Sequence, residues 1–119
     1  MKVKLAFLVQ NEALGKLVEA PMPFATSYRV SKVVSSVQAE LATFEKTRQS
    51  MLEKYGTKTE EGGYEIKPES KNWEKFVKEY EELINEEVKI DAKKIKASSL
   101  SKVEMSAKDL LSLDWLIEE

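Results

Sequence analysis

Between Thr26 and Tyr55 the apolar residues Val30, Val33, Val34, Val37, Leu41, Phe44, Met51, Leu52 and Tyr55 recur in steps of three and four, broken only near Arg48. That spacing is one face of an α-helix of about eight turns, roughly 45 Å long. A rod of that length dominates a chain of 119 residues, because its apolar stripe must be covered by whatever the remaining sequence supplies. The four valines are mediocre helix formers, so packing has to hold the N-terminal half of the rod. Thr26 or Ser27 is the expected N-cap, and Gly56 the stop.

The cover comes from a second stripe, Trp73, Phe76, Val77, Tyr80, Leu83 and Ile84, over a helix predicted at 69–87. Between the two helices, 57–67 reads as a β-hairpin turning at Gly62-Gly63, with Tyr64 and Ile66 on one face. Pro68 is expected as the first helical residue, followed by Glu69 where the helix dipole favours negative charge. A connection this short makes the two helices antiparallel, facing each other along their stripes.

The flanks are shorter elements. Val3, Leu5 and Phe7 alternate with Lys2, Lys4 and Ala6, the period of an edge strand, and a short helix through Leu14, Leu17 and Val18 ends at Pro21 and Pro23. Val88 and Ile90, then Ile95 and Ala97, alternate with charged residues and predict one or two strands returning beside the first. Ser106, with Asp109 three residues on, resembles a capping box opening a terminal helix from Leu110 to Ile117. The expected fold is therefore α+β, mainly α: a single domain over 1–119 built on a long antiparallel helical hairpin joined by a β-hairpin, with a few short strands and a C-terminal helix.

Residue types exclude much chemistry. The chain has no cysteine and no histidine, which removes disulfides, thiolate and imidazole catalysis and the usual zinc sites together. Glu79, Glu82 and Glu86 share a helix face and could offer oxygen ligands to a hard cation, but a charge run on an amphipathic helix is ordinarily its solvated side. Gly62-Gly63 lies between Glu60-Glu61 and a strand, not at a helix N-terminus, so a turn is the better account than a phosphate loop. No cofactor, metal or small-molecule substrate is expected.

Lys89, Lys93, Lys94, Lys96 and Lys102 form a local basic stretch in a chain of net charge −2. The stretch contains no aromatic residue and includes Asp91, so nucleic-acid binding is disfavoured. The run Leu5 to Val9 after two lysines is too short for a signal peptide, and nothing approaches a membrane span. A soluble intracellular protein without membrane contact is expected.

With the inner stripes assigned to the core, the candidate partner-binding residues lie at the ends of the helices: Met22 and Phe24, the Gly62-Gly63 tip, and Trp115. Trp115 stands in an apolar run, Leu113 to Ile117, and either docks on the domain or serves a partner as an anchor.

Pro23-Phe24-Ala25-Thr26-Ser27-Tyr28-Arg29-Val30-Ser31-Lys32 opens the long helix, and Phe44-Glu45-Lys46-Thr47-Arg48 with Glu53-Lys54-Tyr55-Gly56 closes it. With the segments Glu79 to Val88 and Met105 to Leu111, this order of elements resembles a family of small helix-rich proteins encoded by tailed bacteriophages and prophages. The resemblance covers the chain from about Met22 onward and carries no catalytic residue. It implies a non-enzymatic viral protein that acts by protein contact or self-association, either as a virion structural or assembly component or as a small effector that binds a host or phage protein. Its place would be the host cytoplasm or the virion.

Overall fold

The computed structural model describes residues 1–119. Its long helix, α2, spans Phe24–Tyr55, 32 residues, about 48 Å at 1.5 Å per residue. It accounts for the elongated outline of 51 × 26 × 26 Å. The helix begins at Phe24, ahead of both expected caps, Thr26 and Ser27. Pro23, with φ −55° and ψ 148°, precedes it, and the Ser27 N–H donates to the Pro23 carbonyl at 2.9 Å. Thr26 is buried inside the first turn and neither it nor Ser27 caps the helix. Proline suits the boundary because it brings no N–H of its own to satisfy.

Only the first half of the stripe is deep core. Val30, Val33, Val37 and Phe44 are buried, followed by Met51 alone. The first four pack with Val3, Leu5, Leu8, Leu14 and Leu17 from the N-terminal segment, and with Ile90, Ile95, Leu100, Leu113 and Leu116 from the last third. The molecule is thus a head gathered round one half of α2 and an arm made from the other half. The arm consists of the C-terminal turns of α2, the hairpin of β2 (Thr57–Lys58) and β3 (Tyr64–Glu65), and the helix α3 (Trp73–Ile84).

α3 runs antiparallel to α2, with Asn72 Nδ2 donating to the Tyr55 carbonyl at 3.3 Å at one end and the Phe44 and Tyr80 rings 6.1 Å apart further along. The expectation that Trp73 to Ile84 is core holds only in part: Tyr80, Leu83 and Ile84 pack against the core, but α3 has no fully buried residue and Trp73, Phe76 and Val77 stay outside it. Two helices cover each other on one side only, and no third layer closes over the arm. Trp73, Phe76 and Tyr80 instead stack along its flank, successive centroids 6.2 Å apart. α3 also begins later than expected. Pro68 occupies a turn closed by the Ser70 N–H to the Lys67 carbonyl at 2.9 Å, and the Ser70 hydroxyl accepts the Asn72 N–H. Proline at the second place of a turn is as favourable as at a helix start.

The hairpin is as predicted. β2 and β3 pair antiparallel with Thr57 opposite Glu65, and Gly62 takes φ +88° in the loop. Of the returning strands, β4 (Glu87–Lys89) lies antiparallel to β1 (Lys2–Lys4), Val3 opposite Val88. β5 (Ile95–Lys96) does not join them. It pairs parallel with β6 (Ile117–Glu118), which falls inside the predicted terminal helix. That helix, α4, spans only Ala107–Ser112. Leu113 and Leu116 are both fully buried, and the turn between them, closed by the Leu116 N–H to the Leu113 carbonyl, delivers the chain to β5. The Ser106 cap is present, its hydroxyl accepting the Asp109 N–H at 3.1 Å. At the other end, the strand period fails at Leu5, where a 3-10 turn over Leu5–Phe7 follows β1. Leu8 therefore takes the inward place expected of Phe7. The short helix α1 (Glu12–Glu19) follows.

Candidate interaction surfaces

Trp115 docks on the head. It is half-buried against the core, and its indole N–H donates to the Ser112 carbonyl at 2.9 Å. Beside it Leu111 is 75% exposed and Phe7 51% exposed. Together with β1, Glu87 and Asp114 these side chains line a groove of about 500 Å³. Sequence periodicity had placed Phe7 inside and Leu111 in a helix stripe, so the groove becomes visible only once the 3-10 turn reverses Phe7.

One asparagine ties together the segments that carry Phe7 and Leu111. Asn11 Oδ1 accepts the Leu14 N–H at 3.0 Å, capping α1, while its Nδ2 donates to the Phe7 carbonyl at 2.7 Å and to the Ser112 carbonyl at 3.1 Å. The 3-10 turn, α1 and the end of α4 are tied through a single side chain. A second tie is the ion pair of Lys16 with Asp109, 3.2 Å. The Lys16 ammonium, with the Ser106 cap, holds the Asp109 carboxyl below its ordinary value of 3.8.

One wall of the groove is β1, an edge strand of a two-stranded sheet. Met1 and Ile90 exchange backbone bonds (3.1 and 2.7 Å), and the Leu5 N–H donates to the Glu86 carbonyl at 2.9 Å. In an antiparallel ladder bonded and non-bonded pairs alternate, so Val3 is the bonded residue between them. The N–H groups of Lys2 and Lys4 point away from β4, on the open side of β1.

The other predicted residues do not converge on this surface. Met22 is half-buried and lines a separate hollow of about 220 Å³ between α1 and α2, with Leu17, Val18, Val30 and Val34. Phe24 projects from the first turn of α2, 88% exposed. Gly62 and Gly63 are exposed at the tip of the arm, where they serve the turn.

A fourth surface was assembled by the fold. The 91–96 segment lies against the start of α2, its Asp91 N–H donating to the Ser36 hydroxyl at 2.9 Å. This forms a groove of about 550 Å³ bearing Tyr28, Arg29, Lys32, Lys93, Lys94 and Lys96. Lys89 and Lys102, counted with the basic stretch in sequence, do not line it.

The carboxylates of α3 do not form a metal site: no group of three Asp or Glu is placed to hold a cation. Glu79 instead accepts the Tyr55 hydroxyl at 2.7 Å and lies 3.8 Å from the Lys54 ammonium. The Tyr55 hydroxyl and the Glu79 carboxylate raise the pKa of Lys54 above its ordinary value. No helix is long and apolar enough to cross a membrane. Comparison with protein-family models, curated proteins and solved structures finds no match.

Proposed function

We propose that the chain is a phage-encoded, non-enzymatic interaction module that works as a structural or assembly component of the virion. Its partner takes the groove between β1 and the Leu111–Trp115 segment by adding an extended strand to β1. The observation that carries this is the open edge of β1, with the Lys2 and Lys4 N–H groups unspent, in a strand that lines one groove with the exposed side chains of Phe7 and Leu111. Strand addition takes its affinity from main-chain bonds and its specificity from pockets for alternate side chains. Phe7, Leu111 and Trp115 provide the second, and an aromatic flanked by apolar neighbours is the usual composition of a binding hot spot.

The lysines select the partner. Lysine on an edge strand opposes pairing with its own copy, since two Lys-Val-Lys strands side by side juxtapose like charges. A strand carrying Asp or Glu opposite Lys2 and Lys4 meets no such penalty. The expected partner is therefore a different chain with an acidic, alternating extended segment.

Mass spectrometry of purified particles tests this, comparing phage that encode the parent chain with phage that encode Leu111→Asp. The proposal expects the parent chain at a fixed copy number per particle and the variant absent or depleted. Particles devoid of the parent chain would refute a virion role, and equal incorporation of the variant would refute the groove.

A further inference from the structure

The basic groove beside α2 has a chemistry that protein contact does not require. Five cations, Arg29, Lys32, Lys93, Lys94 and Lys96, face two carboxylates, Asp91 and Glu118, in a chain whose net charge is −2. The ion pairs of the molecule involve other residues, Lys16–Asp109, Arg48–Glu45, Lys54–Glu79 and Lys67–Glu65, so none of the five makes an ion pair within its own chain, although Glu118 stands opposite Lys96 between β6 and β5. The segment that presents three of them is held in place at both ends by the fully buried Ile90 and Ile95 and in between by Ser36.

Aromatic rings complete it. Tyr28 is 56% exposed in the groove wall, with the Lys32 ammonium 5.3 Å from its ring centroid on one face. Phe24, one helical turn before it on the same side of α2, is the most exposed large apolar residue of the molecule. Unpaired cations lining a concave track beside two solvent-facing rings are the two ingredients by which proteins hold unstacked bases and their phosphates. The sequence argues against nucleic acid by the lack of an aromatic among the lysines and by Asp91; the fold supplies two aromatics from α2, while Asp91 stays in the groove as one carboxylate among five cations.

We propose that this groove binds single-stranded nucleic acid, its cations taking the backbone phosphates while Tyr28 and Phe24 stack successive bases. A duplex keeps its bases stacked on one another and leaves the rings unused. An anionic membrane presents a flat surface, whereas these cations line a hollow.

The test is fluorescence anisotropy of a labelled oligothymidylate with the full chain at low ionic strength. Saturable binding is expected, with log K falling against log salt at a slope of about −2 to −3.5 for three to five phosphates. Tyr28→Ala and Phe24→Ala should each weaken binding about ten-fold. The double change Lys93→Gln, Lys94→Gln should flatten the slope by about 1.4. Leu111→Asp should bind as the parent does, which separates this site from the β1 groove. All these side chains are exposed, and unchanged melting curves would verify that the variants fold. The proposal is overturned by absence of saturable binding, by tighter binding to the matching duplex or to phosphatidylserine vesicles, or by variants of both rings that bind as tightly as the parent.

Discussion

Gly56 lies so close to Glu65 that a Cβ built on it would stand 2.5 Å from the Glu65 carbonyl oxygen and 2.6 Å from that of Leu52. Both obstacles are backbone, so neither can swing aside. This contact joins the end of α2 to the hairpin, and the close approach, not the turn conformation, is what requires glycine. Gly56→Ala should cost about 1–3 kcal/mol in urea denaturation. Gly62→Ala, in open space but at φ +88°, should cost about 1 kcal/mol, and Gly63→Ala should change stability by less than about 0.5 kcal/mol. The order of the three is the prediction.

Asn11 should be the most sensitive polar position of the head. Asn11→Ala removes the cap of α1 and both bonds that hold the Phe7 and Ser112 carbonyls together, for an expected loss of about 2 kcal/mol. Asn11→Ser keeps a cap but cannot reach both carbonyls, and should recover part of that loss. Equal stability of all three proteins by denaturant titration would show that the clamp is not holding the groove.

The ion pair of Lys16 with Asp109 gives a pH dependence whose sign is set. The folded-state pKa of Asp109 lies below 3.8, so the unfolded chain takes up the proton first as pH falls. The stabilisation is complete well above pH 3.8 and disappears as pH drops through the folded value. Asp109→Asn should melt below the parent at neutral pH and low salt, with the gap narrowing as salt is added. The two proteins should converge in strong acid, and a gap that persisted there would assign the effect to something other than the carboxylate charge.

Much of the fold was legible in the sequence because periodicity and turn chemistry are local. The α2 stripe, the Gly62-Gly63 hairpin, the Ser106 cap and the strand period at Val88 all follow from neighbouring residues. The departures share another cause: they depend on what lies across space. Whether Leu113 to Ile117 continues a helix or turns into β6 is decided by β5, and apolar spacing alone does not distinguish the two. Phe7 faces outward because Leu5 starts a turn. Trp73 to Ile84 is apolar enough for a core, yet only Tyr80, Leu83 and Ile84 reach it, because no third layer covers the end of the arm that carries Trp73 and Phe76. The basic groove was least legible, since Tyr28, Arg29 and Lys32 meet Lys93, Lys94 and Lys96 only after α2 and the last third pack together.

The central claim is that a partner occupies the groove between β1 and Leu111–Trp115. Site-specific photo-crosslinking tests it most directly, with a photoreactive residue at Leu111 and, as a comparison, at Gly62, in the cells in which the protein is made. The account predicts one defined adduct from position 111, lost when Lys2 and Lys4 are changed to Glu, and none from position 62. Adducts from the hairpin tip with none from position 111 would contradict it.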